Sequence, residues 1–219
     1  MQWTLVIPLK PLARAKSRLS DTTADRLRPG LALAFAQDTV AAALACPAVK
    51  DVAVVTGDAL AGRELGALGA RIVPDEPGGG LNPALGHAAA VVRSSRPDSA
   101  VAALNADLPA LRPLELARVL DAAAEFPRAF LPDAAAIGTT LLAAAPSREL
   151  LPAFGTNSRD RHRASGAREL SLDEVDSVRQ DVDTGDDLRA ALALGVGPRT
   201  AEMAARLLLA QPHPTRNPS

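Results

Sequence analysis

Asp107, Asp181 and Asp183 each close a short apolar run, and that placement is what first suggests chemistry in this chain. Residues 101–109 (VAALNADLP) run into Asn105 and Asp107 before Pro109 stops them, and residues 178–184 (VRQDVDT) finish in Asp181 and Asp183. Runs of this kind suit strands of a parallel sheet. Open α/β sheets hold their ligands beyond the carboxyl ends of such strands. Carboxylates delivered there are hard oxygen donors, of the type that binds Mg²⁺ together with substrate phosphates. The plainer alternative is that Asp107 caps a turn and that Asp183 or Thr184 caps a helix over 186–194. Both carboxylates cannot cap one helix, so at least one is left for other work.

A cationic loop, residues 9–19 (LKPLARAKSRL), directly follows the first predicted strand, 4–8 (TLVIP), and carries Lys10, Arg14, Lys16 and Arg18. Lysine supplies a point charge and arginine a forked donor, and a triphosphate can use both. The chain has no GxGxxG and no GxxxxGK[ST], so neither the dinucleotide fingerprint nor a P-loop applies. Residues 75–82 (DEPGGGLN) form the most glycine-dense loop, where backbone can approach a ligand closely. Asn82 either caps a helix over 83–93, with Pro83 in its first turn, or offers its amide to a base or ribose. Thr56 ends the strand 49–56 and can offer a hydroxyl at the sheet's edge. Gly138, Thr139 and Thr140 could wall a pocket. In 154–166 (FGTNSRDRHRASG), Ser158 at a helix start would attract an anion, whereas His162 alone is more often a packed histidine. With three histidines and none paired at ligand spacing, a zinc site is not expected.

The elements that must position these groups alternate. Strands over 4–8, 49–56, 70–74 and 101–104 are separated by helices over 29–46, 60–68 and 83–93, and a helix over 112–126 follows. Alternation of this kind predicts an α/β fold with a right-handed, mainly parallel sheet flanked by helices. Two closely spaced apolar pieces, 129–131 and 139–143, predict an antiparallel excursion. A last amphipathic helix is expected over 198–210, so residues 1–210 read as one domain and 211–219 as a disordered tail. The chain has 219 residues, 47% of them hydrophobic, enough for one sizeable core. Its net charge of −1 argues against a dominant nucleic-acid or membrane-surface role, and 2% aromatics leave no stacking platforms. The single cysteine, Cys46, excludes an intrachain disulfide and sits where burial is expected. No export leader or spanning segment is evident, so a cytoplasmic enzyme is expected. Together these residues imply a Mg²⁺- and nucleotide-dependent phosphoryl or nucleotidyl transferase.

A family resemblance rests on the same residues. Pro8-x-Lys10, Ala15-Lys16-Ser17-Arg18-Leu19, Gly80-Leu81-Asn82, Ala106-Asp107-Leu108-Pro109, Asp133 with Gly138-Thr139-Thr140, Phe154-Gly155…Ser158…His162 and Asp181-Val182-Asp183-Thr184 occur in that order. The chain resembles the 2-phospholactate and phosphoenolpyruvate guanylyltransferases of deazaflavin coenzyme F-420 biosynthesis. The resemblance implies a single-domain, Rossmann-like nucleotidyltransferase fold and a reaction joining GTP to a three-carbon phospho-acid with release of pyrophosphate. It implies that Lys10 and Lys16, assisted by Arg14 or Arg18, hold the triphosphate, and that Asn82 and Thr56 lie on the nucleoside side. It implies Mg²⁺ on Asp107 and one of Asp181 or Asp183, and phosphoenolpyruvate on Thr140, Gly155 and Ser158. Asn105 stands where a second carboxylate would have strengthened a two-metal site. The alternatives are a molybdopterin guanylyltransferase, disfavoured because Leu9-Lys10-Pro11 replaces a Gly-Gly loop, and a non-catalytic nucleotide-binding domain.

Overall fold

Seven strands, β1 (Trp3–Pro8), β2 (Val49–Val55), β3 (Arg71–Val73), β4 (Ala100–Leu104), β5 (Arg128–Pro132), β6 (Thr139–Ala144) and β7 (Arg168–Glu169), join in the order β3-β2-β1-β4-β6-β5-β7. This computed structural model describes residues 1–15, 24–75 and 79–210. Lys16 and Arg18 lie outside the described residues, as does 211–219. Among the described residues only β6 runs against its neighbours: it is antiparallel to both β4 and β5, while the other pairings are parallel. The predicted excursion is therefore the β5–β6 hairpin. Its reversal has a consequence for the site, because it brings the start of β6 to the same sheet edge as the ends of β1, β2 and β4.

The β-branched and alanine-rich strands are buried on both faces, as their unbroken apolar runs require. On one face, Leu5, Ile7, Val52, Val54, Ala102 and Leu104 pack against α1 (Ala24–Leu44), α2 (Ala59–Ala67) and α4 (Pro113–Ala123). On the other, Val6, Ala53, Val101 and Ala103 meet Ala84, Leu85, Ala88, Ala89 and Val92 of α3 (Leu81–Ser95). Each Leu or Val sequestered this way contributes about 1.5–3 kcal/mol. A third cluster, Leu31, Phe35, Val182, Leu188 and Ala191, joins α1 to α7 (Gly185–Leu194), with Met203 and Leu207 of α8 (Pro198–Ala210) packed on it. Among the described residues no helix is long and apolar enough to cross a membrane.

The structure corrects three local expectations. Residues 178–184 do not form a strand: Val178 is buried in a single turn, α6 (Asp176–Arg179), whose cap position holds the buried Val175, and 180–184 run on without sheet pairing. Helical spacing of the valines outweighed their strand preference. Asn82 does not cap α3, because Gly80 occupies the cap position with φ +104° and Asn82 already lies inside the helix. Pro29 sits within α1 rather than at its start, in a helix whose Leu31 and Phe35 are anchored in the third cluster. The expected cap on α7 is present: Thr184 and Asp187 form a reciprocal capping box.

Candidate active site

The predicted cation and carboxylate both follow the carboxyl ends of neighbouring strands, β1 and β4. Val6 is in register with Ala103, and Lys10 and Asp107 each follow that pair by four positions. Lys10 is exposed, as is Arg14 at the end of the 3-10 turn Leu12–Arg14. That turn is anchored by Asp58, whose carboxylate accepts from Leu12 N–H at 2.9 Å while its other oxygen caps α2 through Leu60 and Ala61. The Leu12 and Ala61 amides hold the Asp58 carboxyl below its ordinary range. Thr56 is buried at the end of β2, and its hydroxyl accepts from Asp58 N–H at 3.1 Å.

Asp107 is held by its neighbours on three sides. Its carbonyl accepts from Val182 N–H at 3.0 Å. The next amide, Leu108 N–H, donates at 3.0 Å to the buried Thr39 hydroxyl on α1, which itself donates to Phe35 O. The Pro109 carbonyl accepts from Gly197 N–H at 2.9 Å. Because Val182 lies between Asp181 and Asp183, its bond to Asp107 brings the second acidic segment to the first. Asn105 completes the link: Nδ2 donates to Asp181 Oδ2 at 3.3 Å, and its backbone N–H donates to Thr140 O at 2.9 Å. Asp107 and Asp181 are half-buried and Asp183 is exposed. Among the described residues no three His, Cys, Asp or Glu side chains converge as a metal cage. A donor set of one or two carboxylates, completed by phosphate oxygens, is the arrangement Mg²⁺ uses.

Thr140 lies at the start of β6, and Ser158 opens α5 (Ser158–Ala164) just after Gly155. Thr140 is fully buried, and its hydroxyl has no partner among the described residues. The Asp133 carboxylate accepts from Ile137 N–H at 2.9 Å and Gly138 N–H at 2.8 Å, closing the β5–β6 turn. Any side chain at 138 would collide with that carboxylate, so glycine is required there. Gly155 has φ +111°, a conformation that only glycine adopts cheaply, and its carbonyl accepts from Ser158 N–H at 3.0 Å.

His162 supports this pocket from below. It is fully buried between Phe130 and Phe154, with ring centroids 5.7 and 5.0 Å away. Ala153 N–H donates to Nε2 at 3.0 Å, so the ring proton lies on Nδ1 and donates to Thr139 Oγ1 at 2.9 Å. Burial, with Arg161 and Arg128 nearby, lowers its pKa from 6.5 to about 4. The imidazole is therefore neutral and fully engaged, a pillar rather than a general base.

The guanylyl transferase CofC-like family profile matches residues 3–215. The chain belongs to the CofC-like guanylyl transferase family. The phosphoenolpyruvate guanylyltransferase of Streptomyces avermitilis is 82% identical over 216 residues, 99% of this chain and 100% of that protein. The enzyme of the same name from Streptomyces coelicolor is 80% identical, over 96% of this chain and 99% of its own. A nucleotidyl transferase from Methanothermobacter thermautotroptrophicus has the same fold, with a TM-score of 0.63 at 22% identity, covering 88% of this chain and 97% of that one. This member of the CofC-like family is thus an α/β nucleotidyltransferase. Thr39 and Asp58 give no sign in the sequence, because each acts on a backbone atom distant in the chain, Leu108 N–H and Leu12 N–H, and no spacing announces it.

Proposed function

We propose that this protein joins GTP to phosphoenolpyruvate and releases pyrophosphate. The observation that carries the reading is the Val182–Asp107 hydrogen bond, which sets the two acidic segments side by side at the sheet edge that also presents Lys10. The names of the relatives support phosphoenolpyruvate as the acid. Lys10 and Arg14, with Lys16 and Arg18, would neutralise the triphosphate, and Thr56 would lie on the nucleoside side. Asp107 with Asp181 or Asp183 would hold Mg²⁺, which when bound absorbs charge on the phosphates as the leaving group departs.

In the reaction a phosphate oxygen of phosphoenolpyruvate forms a bond to the α-phosphorus of GTP. The bond from that phosphorus to the oxygen bridging the β-phosphate breaks, and pyrophosphate leaves. The attacking oxygen is already anionic at neutral pH, so the protein needs to position and neutralise rather than to abstract a proton. His162 agrees with that demand, since both its ring nitrogens are committed to structure. Thr140, whose hydroxyl has no partner among the described residues, would hold the acid's anionic groups together with Gly155 and Ser158.

The test is pyrophosphate release in the presence of GTP, Mg²⁺ and phosphoenolpyruvate, with 2-phospholactate and 3-phosphoglycerate as competitors. Release should require both substrates and favour phosphoenolpyruvate, and Asp107→Asn should lower kcat by at least a hundredfold while the melting temperature is unchanged. Nucleotide binding without turnover would make the protein a binding module, and preference for another acid would reassign the substrate.

A further inference from the structure

We infer that Asn82, although it follows the glycine-rich loop expected to face the nucleotide, is a positioning residue for the acid pocket. Its amide is engaged at both ends by one residue 72 positions away: Oδ1 accepts from Phe154 N–H at 2.8 Å, and Nδ2 donates to Phe154 O at 3.1 Å. A carboxamide meets a backbone N–H and C=O of one residue at once, which neither a carboxylate, lacking a donor, nor an ammonium, lacking an acceptor, can do. The same Phe154 carbonyl accepts from Arg161 Nη2 at 2.9 Å, and the preceding amide, Ala153 N–H, is taken by His162. The two-residue segment 153–154 is thus pinned by α3 from one side and α5 from the other.

The clamp acquires its function from the residues just beyond that segment. Gly155 turns the chain with φ +111°, and its carbonyl holds Ser158 N–H at the start of α5. The Arg161 guanidinium lies 3.0 Å from where a Cβ on Gly155 would stand. A shift of the Phe154 carbonyl therefore moves Gly155 and Ser158 together. Removing Asn82 leaves the Phe154 carbonyl with the bond from Arg161 and the Ala153 amide with that to His162, while the GTP phosphates keep Lys10 and Arg14. The inference rests on the assignment of phosphoenolpyruvate to Gly155 and Ser158.

The experiment is steady-state kinetics of wild type, Asn82→Ala, Arg161→Ala and the double variant, each substrate varied at saturation of the other. Asn82→Ala should raise KM for phosphoenolpyruvate about tenfold and KM for GTP by less than twofold. Arg161→Ala, a change at an exposed residue, should move the same constant in the same direction, and the double variant should fall short of the product of the two because they share one carbonyl. A rise in KM for GTP equal to or larger than that for the acid would place Asn82 on the nucleotide and overturn the inference. So would unchanged constants in a folded Asn82→Ala, or failure of Asn82→Ala to fold together with an Arg161→Ala that leaves KM for the acid unmoved. An inactive wild type would instead bring down the proposed function, and this inference with it.

Discussion

Asn105 shows how a residue that reads as a defect in the sequence becomes a fitting in the structure. Two positions before Asp107 an aspartate would have suggested a second metal ligand, yet the amide is what Asp181 requires, because Nδ2 can donate to a carboxylate and an acid there would repel it. His162 carries a similar lesson with a measurable consequence. Its pKa in the folded chain is about 4 against 6.5 as the ordinary value. Below pH 6.5 the unfolded chain takes up a proton that the folded chain refuses, so stability is complete above 6.5 and declines as pH falls toward 4. The gap corresponds to about 3 kcal/mol. Urea titrations between pH 7 and 4 should show that loss in wild type. His162→Gln should be less stable at pH 7 and should show a shallower decline. Parallel pH profiles for the two would remove His162 as the titrating group.

At the level of elements, α1 does more than cover the sheet. Its Thr39 steadies the residue after Asp107, and its buried Asp38 accepts from Thr200 N–H at 2.7 Å and Arg199 N–H at 3.3 Å, capping α8 from 161 and 162 positions away. Asp38→Ala should cost about 2 kcal/mol, the loss of a buried cap, and lower the melting temperature by roughly 4–8 °C. The kinetic constants should stay within twofold, since α8 carries no residue of the site, and a fall in kcat would reveal that α8 sets the position of the acidic segment. Strands and helices through β6 were legible because apolar periodicity is local. The cap on α8 was not, because an aspartate inside an apolar helix gives no sign of what it will meet. For the same reason residues 178–184 do not form the expected strand: Val178 belongs to a helical turn, and Val182 is buried with Phe35 and Leu188 rather than in a ladder. The acidic segment still meets Asp107, because that approach depends on one backbone bond and not on the type of segment that carries it.

Across the whole molecule the candidate site draws on parts of the chain far apart in sequence, Lys10 just after β1 and the 181–183 segment that returns to Asp107 just before α7. A ligand spanning them ties the first strand to the last helices, so its binding energy should appear in one global unfolding transition rather than in a loosened part. A ligand bound only to the folded state and present at a hundredfold excess over its Kd adds about 2.7 kcal/mol. For a chain of this size that is roughly 5–11 °C in melting temperature. GTP with Mg²⁺ should produce such a single, cooperative shift, and GTP with EDTA a smaller one carried by the cationic loop alone. Asp107→Asn should melt with wild type when ligand-free and lose only the Mg²⁺-dependent increment. An equal shift with and without Mg²⁺ would show that the carboxylates bind no metal. A ligand-free Asp107→Asn that melts several degrees lower would return Asp107 to the role of a structural cap, because a side chain committed to holding its turn cannot be neutral to its own removal.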